Sequence, residues 1–139
     1  MKLREKLSRK LRKSKGFTLI EMLVVIAIIA ILVVVSVPMV NSSLDKAKTA
    51  TDDANERAAK AAALIEYMTD ETVTGAETYY YNAASGAVQP DSTAGIDGYN
   101  QKDQSAVGGG TVTAGNGCVE VKIKADGTFE SLGWVEDGV

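Results

Sequence analysis

Lys15–Pro38 reads KGFTLIEMLVVIAIIAILVVVSVP, and what this stretch can form constrains the rest of the chain. From Met22 to Val37 every residue except Ser36 is hydrophobic, and none carries a charge. The 22 residues from Phe17 to Pro38 make about 33 Å of helix, which matches a hydrocarbon core of about 30 Å. The run is longer than the apolar part of a secretory signal, and Val34-Val35-Ser36-Val37-Pro38 offers no Ala-x-Ala cleavage site. Hydropathy therefore predicts a membrane-spanning helix, loosened near its outer end by Pro38, which cannot donate to the carbonyl of residue 34. Glu21 stands apart as an acid just inside an otherwise apolar helix. A carboxylate carried into the middle of a bilayer costs about 2.5–3.5 kcal/mol on insertion scales, so it needs a partner.

Before this stretch lies a basic leader, residues 1–16. Eight Lys and Arg against Glu5 alone give it a net charge of about +7. The remaining residues hold 7 basic and 17 acidic side chains, a net charge of about −10. A positive end next to an apolar span and an acidic body beyond it predict a single pass through the cytoplasmic membrane with the N-terminus inside. An acidic body also argues against direct nucleic-acid binding, which wants clustered Lys and Arg. Histidine is absent, which removes the commonest general base and metal ligand, and no nucleophile–base constellation is present. The chain is not expected to be an enzyme. Cys118 is the single cysteine, so no intrachain disulfide can form. It reads as a half-buried strand thiol, with intermolecular pairing as the alternative.

The basic leader, Gly16-Phe17, the acid four residues after Phe17, the uninterrupted apolar run and Pro38 together resemble the processing and assembly region of type IV pilins and pseudopilins. The resemblance implies that a membrane-embedded aspartic peptidase cuts between Gly16 and Phe17, and that the new amino group of Phe17 is methylated. Gly16 suits this, because it interrupts helix continuity and lets the scissile bond extend. The resemblance also implies that Glu21 pairs with the Phe17 amine of a neighbouring subunit, so that a paired charge sets the register of assembly. Gly16 and Phe17 are thus the candidate processing residues, and Glu21 and Pro38 the candidate assembly residues. The implied partners are further copies in a homo-polymer, the prepilin peptidase, a platform membrane protein and an assembly ATPase. An extracellular filament would be the final location.

Residues 17–40 are read as the membrane and assembly helix and 41–74 as an amphipathic helix. Val40, Leu44, Ala47, Thr51, Ala54, Ala58, Ala61, Ile65 and Met68 form one face, opposite Lys46, Lys48, Asp52, Asp53, Glu56, Arg57, Lys60 and Glu66. Asn41-Ser42-Ser43 read as a cap after Pro38, dividing the helix into two pieces in line. Residues 75–139 form a head. Thr78-Tyr79-Tyr80-Tyr81 predicts a short strand, 82–117 a long loop with a weak strand near Thr111–Thr113, and Cys118–Lys124 with Thr128–Val135 a hairpin turned at Asp126-Gly127. Val119, Val121 and Ile123 should face the helix, Glu120, Lys122 and Lys124 water, and Phe129 and Trp134 the core or its edge. The expected fold is α+β and pilin-like, a long N-terminal helix on a small antiparallel sheet.

No cofactor is expected. The one faint candidate is calcium at Asp91, Asp97 and Asp103, which offer oxygen ligands without a strict loop spacing. The function classes in play are a type IV pilus subunit, a major pseudopilin of a type II secretion or DNA-uptake system, and a monomeric membrane-anchored binding module.

Overall fold

The computed structural model describes residues 16–138. The basic leader before Gly16 lies outside the described residues. A single helix, α1 (Leu19–Thr69), is followed by strands β1 (Glu77–Asn82), β2 (Ala87–Pro90), β3 (Gln104–Ser105), β4 (Thr111–Val112), β5 (Gly117–Ile123) and β6 (Phe129–Glu136). The chain divides into two units, one ending at Ser43 and one beginning at Leu44.

In the first unit every described side chain is exposed, and α1 is long and apolar enough to cross a membrane. Pro38 lies inside α1 without ending it. The expected division of the helix after Pro38 does not occur. Ser43 Oγ donates to the Met39 carbonyl (3.0 Å), one turn back, instead of accepting from a new helix start. Ser36 Oγ does the same to Leu32 (2.7 Å). Hydroxyls that bond back to carbonyls in this way leave a helix intact and keep their own polar groups satisfied in an apolar setting.

In the second unit the later part of α1 packs on an antiparallel sheet of order β2-β1-β5-β6. The core joins Ala59 and Ala63 of α1 to Tyr79, Tyr81, Val112, Val119, Val121, Ile123 and Trp134. Alanine at the helix positions lets the strands come close, while the β-branched and aromatic residues of β1 and β5 fill the space. The β5–β6 hairpin turns through Asp126-Gly127. Gly127 has a φ of 79°, and its N–H donates to the Lys124 carbonyl. Trp134 is in the core, and the half-buried Phe129 ring sits 3.9 Å from Lys60 Nζ.

Two expectations about faces fail. The face that α1 turns to the sheet contains Asp52, Glu56, Ala59, Ala63 and Tyr67, whereas the predicted stripe is exposed, with Ile65 at 65% and Met68 at 81%. Alanine occupies both faces between Ala58 and Ala63, so its periodicity could not tell them apart. The polar residues on the packed face have specific partners, which is why they lie inside. Trp134 Nε1 donates to Glu56 Oε1 at 2.7 Å. The second failure is Glu120, which is buried instead of facing water. It accepts from the hydroxyl of Tyr80 (3.3 Å), its register partner on β1, and pairs with Lys122 Nζ (3.1 Å), two residues along β5 on the same face.

The segment 82–117 is less irregular than its composition suggests. β2 pairs with β1 through a tight turn in which Asn82 Oδ1 accepts from Ala84 and Ser85, and β3 pairs with β4. Two buried polar side chains organise the remainder. Asp52 accepts from Gln101 N (2.7 Å), Lys102 N (3.2 Å) and Gln104 Nε2 (2.7 Å), tying the loop to α1. Asn100 accepts from Gly115 N and Gly117 N and donates to the carbonyls of Lys102 and Thr113. A Cβ at Gly117 would meet Val112 Cγ1 at 2.5 Å and Asn100 Oδ1 at 3.2 Å, so any larger residue there would push these buried side chains aside.

Replacing the buried Asp52 by Ala removes the acceptor shared by Gln101 N, Lys102 N and Gln104 Nε2 and is expected to cost the head about 2 kcal/mol. Urea unfolding of the full chain in detergent, read at Trp134, checks this, and an unshifted midpoint would contradict it. Cys118 is fully buried, and burial, with the Asp137 charge adding to it, pushes its thiol up to about 11. The intermolecular pairing reading is therefore set aside. A maleimide should leave the native thiol unmodified near pH 8 and label it once denaturant is added, and stoichiometric labelling of the native chain would refute this placement.

Candidate processing and assembly site

Three of the four sequence-predicted processing and assembly residues, Gly16, Phe17 and Glu21, fall within one turn of the start of α1. Gly16 to Thr18 are outside the helix and exposed, and no atom comes within 4 Å of where a Gly16 side chain would begin. The Gly16–Phe17 peptide bond thus stands in open, non-helical backbone, which is the condition a protease needs to draw a substrate into extended form.

The helix starts at Leu19 because Thr18 and Glu21 cap it reciprocally. Glu21 N donates to Thr18 Oγ1 (3.2 Å), while Glu21 Oε2 accepts from Thr18 N (2.9 Å) and Thr18 Oγ1 (3.0 Å). The first backbone bond of the helix runs from Met22 N to the Thr18 carbonyl at 3.2 Å. This is a capping box, with Thr18 at the N-cap and Glu21 at the third helical position. A negative side chain there also meets the positive end of the helix dipole. Thr18 was missed as a site residue, although Thr-x-x-Glu ahead of an apolar run is a legible signal of this arrangement. Among the described residues no partner takes Glu21 Oε1, so the carboxylate keeps an acceptor oxygen free while it caps.

Pro38 lies 17 residues beyond Glu21 on the same helix, about 25 Å away at 1.5 Å per residue. It belongs to the apolar span and shares no contact with the capping box.

The three aspartates considered for calcium do not form one cluster. Asp91 follows β2 with a φ of 62° and donates its N–H to the Thr78 carbonyl. Asp97 is exposed, and Asp103 Oδ1 accepts from Ala114 N at 2.9 Å. Among the described residues no three acidic, Cys or His side chains come together as a metal ion requires.

No curated protein and no solved structure matches the chain. A family model described as the prokaryotic N-terminal methylation motif matches residues 11–37, which span Gly16, Phe17, the capping box and most of the apolar run. The motif runs into the start of α1 and is the signature seen in type IV pilins and pseudopilins, and here it sits on a pilin-like α+β fold of one long helix and a small antiparallel sheet.

Proposed function

We propose that the chain is the precursor of a structural subunit of a type IV pilus or pseudopilus, cut between Gly16 and Phe17 and polymerised through the apolar part of α1. The observation that carries this reading is the methylation motif at residues 11–37, set on a helix whose apolar residues have no cover within the described chain. The leader stays on the cytoplasmic side, held there by its positive charge. A prepilin peptidase removes it, and a platform membrane protein and an assembly ATPase drive the subunit into a filament outside the membrane.

Magnitudes support a second partner for Glu21 beyond its cap. A helix N-cap contributes roughly 1 kcal/mol, which is less than the 2.5–3.5 kcal/mol, on the order of insertion scales, of a carboxylate at mid-membrane. Capping alone therefore does not offset carrying this acid among apolar helices. The positive amine left on Phe17 by cleavage, in a neighbouring subunit, supplies the missing charge. An unmatched carboxylate disfavours every other register, so the pair selects one. Between the helices themselves apolar surface moves from lipid to protein. Cohesion there rests on packing and on this pair, because little is gained from the hydrophobic effect.

Two predictions test the reading. Gly16→Phe should leave the uncut precursor in the membrane, detected by intact mass as retention of residues 1–16, and a mature N-terminus at Phe17 in that variant would refute the cleavage assignment. At Glu21 two substitutions separate charge from capping. Glu21→Gln keeps a side chain able to cap and removes the charge, so it should be inserted and processed yet give few sheared filaments, and Glu21→Ala should do the same. Thr18→Val weakens the cap and should polymerise almost normally. Filament yield that follows the cap rather than the charge would overturn the proposed pairing.

A further inference from the structure

The head carries a recess of about 490 Å³ between the end of α1 and the β1–β2 edge of the sheet. Four carboxylates line it: Glu66 and Asp70 at the end of α1, Glu77 on β1 and Asp91 beyond β2. Among the described residues no Lys or Arg contributes to its wall. Asp70 is firmly ionised, because Thr72 donates to its Oδ1 from both hydroxyl (2.6 Å) and N–H (2.9 Å) and so holds its carboxyl below the usual range. Four like charges around one space repel one another, and a cation entering it relieves that repulsion.

Tyr79 supplies the independent observation. It lines the same recess, its residue is 2% exposed, and its hydroxyl has no hydrogen-bond partner. A buried phenol left unpaired is uncommon and unfavourable, and marks a place where a partner is missing. The hydroxyl lies in the field of Glu77, Asp70 and Glu66; burial first, and these charges after it, raise its pKa. At neutral pH it is therefore a neutral phenol, with lone pairs available to an N–H donor.

The shape of the donor set narrows the ligand. Among the described residues the carboxylates do not gather three at a time as a metal ion requires. They are spread along a recess whose wall also includes Val73 and Pro90, apolar surface suited to an aliphatic stem. We propose that this recess binds an organic cation, an alkylammonium or guanidinium group on a short aliphatic stem, whose N–H groups reach the Tyr79 hydroxyl and the surrounding carboxylates. That chemistry is shared by a free amine and by a Lys or Arg side chain of another polypeptide. The recess lies wholly within the second unit, away from the apolar part of α1, so the proposal stands independently of how that apolar part assembles.

The test follows the Val73 and Gly75 amide signals of the full chain in detergent micelles during titration with n-butylammonium and, separately, with acetyl-Gly-Lys-Gly-amide. Both probes should give saturable shifts that weaken with added salt. The peptide binding more tightly than butylammonium identifies a polypeptide side chain as the source, and the reverse order a free amine. Tyr79→Phe, which removes only the hydroxyl oxygen, should lower affinity about tenfold, the effect of one hydrogen bond to a charged group. Glu66→Gln, at an exposed position, gives the same comparison should Tyr79→Phe loosen the head. Its affinity should also fall. The proposal is overturned by the absence of saturation with either probe, by unchanged affinity in the folded variants, or by calcium shifting the same amides at lower concentration than either amine.

Discussion

Nothing within the described chain covers the apolar half of α1. From Gly16 to Ser43 every side chain is exposed, including a long series of Val, Ile and Leu. An apolar surface of that extent cannot stay in water, so lipid or other apolar helices must supply its surroundings. The details of the first unit follow from this. Serine hydroxyls turn back onto carbonyls, Pro38 is accommodated without a break, and Glu21, the one acid among the described residues of this unit, sits at the helix start, where Thr18 and the helix dipole receive it.

The second unit meets the opposite requirement and builds a core of its own from few large residues. Its helix contributes two fully buried alanines, so the sheet lies close and the aromatic residues of the strands do most of the filling. Tyr99 bridges the centre: its hydroxyl donates to the Tyr81 carbonyl and accepts from Val119 N, and its ring meets Tyr81 and Trp134 edge-on. Polar groups fix the parts that apolar contact leaves loose. Asp52 and Asn100 hold a stretch rich in Gly, Ser and Asn, where hydrophobic burial alone would be too small to offset the entropy of ordering it.

The two halves of the chain differ in how openly the sequence announces them. Period-two alternation in Cys118–Lys124 and the Asp126-Gly127 turn made the β5–β6 hairpin plain, because alternation is the period of a strand, although Cys118 and Glu120 leave both faces of β5 buried. β2 went unseen, since Ala-Val-Gln-Pro has little strand character and owes its conformation to pairing with β1. The helix face was misjudged for a related reason. Asp52 and Glu56 look like solvent-facing residues until the loop amides and the Trp134 indole are in place to receive them. The capping box could be read directly from Thr18-Leu19-Ile20-Glu21, and the acid drew attention to charge pairing before local geometry.

The sequence by itself determined the membrane-competent helix and the α+β class, and it singled out Gly16, Phe17 and Glu21 as candidate site residues. These rest on local chemistry: an unbroken apolar run, a residue without a side chain, a misplaced charge and an alternating strand. Only the tertiary structure decided which face of α1 meets the sheet, where Glu120 goes, and that Glu66, Asp70, Glu77 and Asp91 gather around the Tyr79 hydroxyl. Those outcomes depend on hydrogen-bond partners and charges up to 78 residues apart in the chain. No local pattern encodes them, because the partner exists only once the chain has folded.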